Sequence, residues 1–351
     1  MEEDQKNRFE ASAPTLREVA QLAAVSVATA SNALNSPDRV SAELRQRVHR
    51  AVDQLGYVPH AAAQSLRRSS RGKLVALMVP NLHNPFFVEL VEAIERLVFE
   101  RGYSLLLYSS GEDVEAEIRH LNLLRSYRID GLILAPAGRR ESSHSATLSA
   151  LKAPVVLVDR TLDGFGFDTV ALDNHMAGHL AGTHLVGLGH RRIGVILGSS
   201  SVSAGRERLL GFKEALVAGG VVFDPGLMRE VGLRDSRAHD ATIELLSLAE
   251  PPTAIFAGHS LVLLGVMRAL AERGLRCPGD VSALAVDDFP WAAAMQPRLT
   301  IVAQPVAEMA AATVDLLFER IGGTRQGPGE RSLLPPRLIV RDSCGNPPKV
   351  A

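Results

Sequence analysis

From residue 74 onward the chain repeats one pattern, a short aliphatic or β-branched run followed by an amphipathic helical stretch. LVALMV at 74–79 precedes a helix predicted over 86–101, SLLLY precedes 112–127, GLILA precedes 141–151, and VVLV closes a first series. TVAL then precedes 176–188, IGVIL precedes 204–218, a strand-like 227–231 precedes 236–248, AIFAG precedes 261–273, and VSALAV and 299–302 close a second. Strands joined through helices lie parallel and carry those helices on both faces. Two such series predict an α/β body of two lobes, each a doubly wound parallel sheet. Ligands of such sheets gather at the carboxyl ends of the strands, so the expected site is a cleft between the lobes. At 351 residues the chain exceeds one ordinary core and has room for two or three domains.

Residues 15–35, TLREVAQLAAVSVATASNALN, do not fit that rhythm. Leu16, Val19 and Ala20 form one short helical face, and Val27, Ala30 and Leu34 form another. Ser26 is placed to cap the second helix. Two short helices joined by a tight turn make a helix-turn-helix, whose second helix offers Val27, Ala28, Thr29 and Asn32 to a DNA major groove. A loop ending at Ser41 precedes a third helix, over 42–55, that stops at Gly56. Charge agrees with that reading. Residues 15–72 hold eight arginines and no lysine against four acidic residues, whereas residues 73–351 hold 28 basic and 31 acidic. A nearly neutral chain therefore carries a basic head, as phosphate contact requires.

Several polar or aromatic residues follow the predicted strands, where a strand-end cleft would gather them. They are Asn84, Phe86 and Phe87; Asp159 and Arg160; Arg206 or Arg208; His259 and Ser260; Asp287; and Gln304. Leu233 completes the candidate set. Aromatic rings beside carboxylate, guanidinium and amide groups suit a polyhydroxylated ligand: rings pack on its C–H faces and charged groups strengthen hydrogen bonds to its hydroxyls.

TLREVAQLAAVSVATASNALN and LGYVPHAAAQSLRR resemble the headpiece and hinge of the LacI/GalR family of bacterial transcription regulators. The resemblance continues through LVALMVPNLHNPFFVEL, PVVLVDR, LGHRRIGVI, RLLGF, GVMRALAERGL and VSALAVDDF, nearly the whole chain. It implies a helix-turn-helix headpiece at 15–58, a hinge helix and linker at 59–72, and a type I body, like that of periplasmic binding proteins, at 73–351. The body's first subdomain is expected at about 73–161 and 292–322, and its second at about 162–291 and 323–341. In the headpiece Val27, Ala28 and Asn32 would face base edges, with Thr29 and Ser31 nearer phosphate. Thr15, Ser26, Asn35, Tyr57, His60 and Gln64 complete the DNA-contacting set. Leu66 would wedge into the minor groove, unstacking a base step and kinking the duplex. The effector set matches family positions at Asn84, Phe86, Phe87, Asp159, Arg160, Asp287 and Gln304, and spacing to RLLGF favours Arg208 over Arg206. The chain departs from the family at His259-Ser260, where Asn-Asp is usual, at Val286, usually aromatic, at Asn32, commonly Arg, and at Ala24, commonly Gly. Asn at position 32 favours adenine where Arg prefers guanine.

The resulting expectation is a dimeric repressor of a pseudo-palindromic operator, controlled by a sugar or sugar-like effector. The alternatives are a purine or other metabolite, no effector at all, or a sugar-binding protein without regulatory role. The C-terminal RDSCGNPPKVA carries no leucine heptads, which favours a dimer over a tetramer. No cofactor and no metal are expected: Gly187-Leu188-Gly189-His190 lacks the context of a dinucleotide fingerprint, and His175, His179 and His184 read as polar-face histidines. No catalytic constellation occurs, so an enzyme is not expected. The leading MEEDQKNRFEASAP is polar, without the apolar core of a signal peptide, and no apolar run is long enough to span a bilayer, so residues 1–14 read as a disordered lead and the protein as cytoplasmic. In a reducing compartment Cys277 and Cys344, without metal-ligand spacing, read as structural thiols.

Overall fold

The computed structural model describes residues 14–57, 73–137, 144–162, 164, 166–232 and 235–348. The chain divides into two compact units, Met1–Gly72 and Lys73–Ala351.

The first unit holds three helices, α1 (Leu16–Leu22), α2 (Val27–Asn35) and α3 (Ala42–Leu55). Each begins at a hydroxyl that accepts a hydrogen bond from a backbone N–H two or three positions into the helix: Thr15 from Glu18, Ser26 from Thr29, and Ser41 from Leu44. Glu18 reaches back to the Thr15 backbone at 2.6 Å, completing a capping box. Gly56, at φ 62°, closes α3 in the left-handed region. The core is built mostly of alanine and valine: Val19, Ala20, Ala23, Ala30, Ala33, Val48 and Ala51 are buried. Val27 belongs elsewhere. It is 41 % exposed, and Ala33 takes the place expected for it on the buried face of α2.

The second unit contains two six-stranded sheets. In chain order its elements are β1 (Leu74–Val79), α4 (Pro85–Glu100), β2 (Ser104–Ser109), α5 (Val114–Tyr127), β3 (Gly131–Leu134), α6 (His144–Ser149), β4 (Val155–Val158), β5 (Asp168–Leu172), α7 (Asn174–Gly187), β6 (Ile193–Leu197), α8 (Ser203–Ala218), β7 (Met228–Glu230), α9 (Asp235–Leu246), β8 (Ala254–Ala257), α10 (Ser260–Glu272), β9 (Ser282–Val286), β10 (Thr300–Ala303), α11 (Val306–Gly322), β11 (Arg331–Leu334) and β12 (Arg337–Ile339). The first sheet runs β11-β5-β4-β3-β1-β2, parallel throughout. The second runs β12-β10-β9-β8-β6-β7, parallel except for β12 at its edge. Central strands read as unbroken aliphatic runs because both faces are covered: β3, β4, β8 and β9 are buried at every position.

The subdomain boundaries differ from those expected. Strand β5, assigned from sequence to the second lobe, pairs with β4 and β11 in the first sheet. Strand β10, assigned to the first, pairs with β9 and β12 in the second, while α11 packs on the first. The segment 323–341 splits between sheets, β11 in the first and β12 in the second. The chain therefore passes between lobes after 172, after 303 and after 334, not near 161, 291 and 322 as the expected bounds imply. A buried strand looks the same whichever sheet receives it, so sequence pattern could not place these passages.

One helix pair fixes the geometry of the second lobe. On α7 a Cβ at Gly178 would lie 1.9 Å from the Arg208 carbonyl oxygen, and on α8 a Cβ at Gly211 would lie 1.9 Å from that of His175. Only glycine lets these backbones approach so closely. His175 and His179 thus lie along a packed helix, and His175 meets Glu214 at 3.1 Å. Among the described residues no group of three or more His, Cys, Asp or Glu could hold a metal ion, and no helix is long and apolar enough to cross a membrane.

Candidate functional site

In the first unit, capping and turn formation use side chains internally and leave α2 outward. The turn before α2 passes through Ala24 at φ 50°, where family members commonly carry glycine. Arg47 holds this strained turn, donating to the Ala23 and Ala24 carbonyls at 2.6 and 3.1 Å. Val27, Ala28 and Asn32 are exposed, and Thr29 and Ser31 half-buried. Thr15 and Ser26 serve first as caps, with the Thr29 hydroxyl 2.8 Å from that of Ser26. Tyr57 is half-buried against the small core. The Asn35 side chain, and His60, Gln64 and Leu66, lie outside the described residues, as does Leu233 of the effector set.

In the second unit, strand ends of both lobes converge on a cleft with about 500 Å³ of space free of protein atoms, part of it open to solvent. Asn84, Phe86, Phe87, Asp159 and Arg160 line it from the first sheet's side, and Arg208, His259, Asp287 and Gln304 from the second's. All nine were named from sequence. Arg208 does line the cleft; Arg206 is not among its lining residues and lies 3.4 Å from Glu207.

Asn84 begins α4 and accepts from the Phe86 N–H at 3.0 Å. Its amide donates across the cleft to Asp287 at 3.2 Å, and its carbonyl accepts from Ser260 Oγ at 3.1 Å. The lobes are thereby hydrogen-bonded to each other. Ser260 Oγ is committed to Asn84, so it makes no nucleophile–base pair with the adjacent His259.

The charges are buried and paired. Arg160 makes a two-pronged contact with Glu112 at 2.7 and 2.9 Å and donates to the Pro136 carbonyl, while its guanidinium lies 5.8 Å from the Phe87 ring centre. Burial works against its charge, but Glu112 and Asp159 outweigh that and hold its pKa above the ordinary value. Arg208 donates to Asn174 at 2.8 Å and to the Gly258 carbonyl at 2.6 Å, with Asp287 3.7 Å away. Asp287 also accepts from Gln304 at 2.6 Å. Asp159 is 4 % exposed, and burial pushes its carboxyl up to about 6 against the pull of Arg160 and Arg208, with Asp287 and Glu112 adding to the rise. His259 moves the other way, to about 4, through burial first and the neighbouring Arg208 and Arg160 after it, with Asp287 and Glu112 opposing. Its Nδ1 and Nε2, and Gln304 Oε1, are buried without a hydrogen-bond partner.

Sequence reasoning missed Glu112 and Asn174. Both follow strands of the first sheet, so the strand-end rule applies to them; Glu112 sits in a turn at φ 63°, and Asn174 follows the strand assigned to the wrong lobe.

The chain is similar over most of its length to known bacterial regulators. Residues 15–60 match the family described as bacterial regulatory proteins, lacI family, and residues 183–344 match the periplasmic binding protein-like domain. A relative from Haemophilus influenzae, the HTH-type transcriptional repressor PurR, is 31 % identical over 94 % of this chain and 98 % of its own. A solved complex of the transcriptional regulator CelR with cellobiose is 34 % identical, covers 94 % of this chain and 99 % of its own, and superposes with a TM-score of 0.70. The Lac repressor dimer bound to operator and the anti-inducer ONPF is 27 % identical, covers 94 % and 98 % respectively, and reaches 0.79.

Proposed function

The chain belongs to the lacI family of bacterial regulatory proteins and is a DNA-binding transcriptional regulator, not an enzyme, and we propose that it is a cytoplasmic, homodimeric repressor whose grip on a pseudo-palindromic operator is set by a small sugar or sugar-like effector in the interlobe cleft. Two headpieces related by a two-fold axis read two half-sites. Val27, Ala28 and Asn32 meet base edges, Thr29 and Ser31 phosphates, and Leu66 the minor groove. The lines of the cleft supply the effector contacts: rings from Phe86 and Phe87, and polar groups from Asp159, Arg160, Arg208, His259, Asp287 and Gln304.

The observation that carries this reading is the hydrogen-bond bridge from Asn84 to Asp287 and Ser260, which ties the two lobes across the cleft where a ligand would sit. A ligand that takes over either bond alters how the lobes meet. The lobe pose in turn decides whether two hinge segments can meet on DNA, and a coupling of about 1 to 3 kcal/mol makes a useful switch. The same bridge supports a second reading, in which the lobes are held together by protein alone and no effector acts. Selection from a random DNA pool, followed by anisotropy titrations of the selected operator at fixed salt with pentoses, hexoses, disaccharides, sugar phosphates and purines, separates the two. A several-fold change in operator affinity with one sugar supports the first reading. Tight operator binding that no compound changes supports the second.

A further inference from the structure

The turn between α1 and α2 carries a contact that base reading itself does not use. Helix α1 ends in two reverse hydrogen bonds: the Val25 N–H donates to the Ala20 carbonyl at 2.9 Å and the Ala24 N–H to the Gln21 carbonyl at 3.1 Å. This pairing closes a helix when the residue at position 24 enters the left-handed region, which glycine does freely and Ala24, at φ 50°, does under strain. The next two carbonyls, of Ala23 and Ala24, lie outside this pairing at the negative end of the helix dipole, and the last turn of α1 has no basic residue to meet them. Arg47 meets both. Its Nη2 donates to Ala23 at 2.6 Å and to Ala24 at 3.1 Å, from 24 and 23 positions away on α3. Val48 and Ala51 anchor that part of α3 in the headpiece core.

The place of this contact gives it a consequence for α2. Ser26 starts α2 by capping Thr29, so residues 23–26 are the whole connection between α1 and α2. Any rotation at Ala24 turns Val27, Ala28 and Asn32 with it. An arginine in a basic head ordinarily serves as a phosphate contact, which adds affinity for every sequence alike. Arg47 instead binds the protein's own backbone at the residue that most resists the turn.

We propose that Arg47 is a positioning residue for operator recognition: by clamping the Ala23 and Ala24 carbonyls to α3 it sets the angle at which α2 reaches the groove, and it takes over the role that a glycine at 24 would play. This rests on α2 as the reading helix. Operator affinity then depends on Arg47 without a phosphate contact, and the dependence shrinks once position 24 no longer resists the turn.

Anisotropy titrations of the full-length protein over a series of salt concentrations, on a duplex selected from a random pool and on a scrambled duplex of the same length, test this in wild type, Arg47→Met, Ala24→Gly and the double variant. Arg47→Met keeps the aliphatic stem and loses the guanidinium. It weakens the selected duplex by about tenfold and the scrambled duplex by less than about twofold, with the slope of log affinity against log salt unchanged. Ala24→Gly alone stays within about twofold of wild type, and adding it to Arg47→Met restores the selected duplex to within about threefold. Hydrogen exchange of α2 shows which variants are folded. If Arg47→Met is not, the double variant is compared with Ala24→Gly alone: affinity within about threefold at an unchanged slope supports the proposal, and a smaller slope overturns it. Equal losses on both duplexes with a slope smaller by about 0.9 mark Arg47 as a phosphate contact and overturn it too. Native affinity of Arg47→Met for the selected duplex, or a loss that the glycine does not relieve, overturns it with the reading role of α2 intact. A pool that yields no preferred duplex removes that reading role and the proposal with it.

Discussion

The headpiece and the cleft use polar side chains in opposite ways. In the headpiece Thr15, Ser26, Ser41 and Arg47 satisfy the protein's own backbone at helix starts and at the Ala24 turn, and what remains exposed on α2, Val27, Ala28 and Asn32, is the proposed reading surface. In the cleft, charged groups are buried and paired across two lobes, and a histidine and a glutamine carbonyl are left unsatisfied. A surface that reads DNA has to hold its shape before contact. A site that responds to a ligand has to hold interactions that the ligand can complete or exchange. The contrast locates strain in the headpiece at one backbone turn, and in the cleft at buried polar atoms.

The largest effect comes from breaking the scaffold under the cleft. Gly178→Val forces α7 off α8, and with them Asn174 and Arg208; urea unfolding should show a loss of about 4 kcal/mol or more in the body. A native melt would mean that the close helix approach is not required. On the reading surface, Asn32→Ala should weaken operator binding by about 1 to 3 kcal/mol, and Asn32→Arg should shift the selected base from adenine toward guanine. Ser26→Ala removes a cap and should cost the headpiece about 1 kcal/mol, read by hydrogen exchange of α2. Ala24→Gly should do the reverse, stabilising the headpiece by up to about 1 kcal/mol because the turn already needs positive φ.

The smallest effects are in pH dependence, and the two buried cleft groups have opposite signs. Asp159 ionises near 6 in the folded protein but near 3.8 when free, so its contribution to stability is full below 3.8 and is lost as pH rises through 6. His259 takes its proton near 4 when folded but near 6.5 when free, so its contribution is full above 6.5 and is lost as pH falls through 4. Between pH 7.5 and 5, His259→Gln should therefore lose less melting temperature than wild type and Asp159→Asn should lose more. Parallel melting curves for all three proteins would show that neither group is buried as described.

Local features were legible in sequence where local chemistry decides them. Ser26 and Ser41 as caps and Gly56 as a helix stop follow from neighbouring residues alone, and each is found, whereas the positive φ at Ala24 is signalled only by the glycine that the family commonly has there. The strand ends were also legible, which is why Asn84, Asp159, Arg208, His259, Asp287 and Gln304 meet at one cleft. Strand membership was not, since β5 and β10 carry no mark of the sheet they join. Nor was pairing: nothing in a linear pattern reveals that Glu112 neutralises Arg160, 48 positions away, or that Asn84 and Asp287 meet across 203 positions.

Linkage between operator and sugar tests the central claim most directly. The dissociation constant for operator is measured with and without a saturating bound sugar, and that for the sugar with and without operator, at one salt concentration. If cleft occupancy controls the headpiece, both change by the same factor, about fivefold or more in either direction. A sugar that binds the cleft while both ratios stay at unity would contradict the claim, leaving a DNA-binding protein whose cleft does not control it.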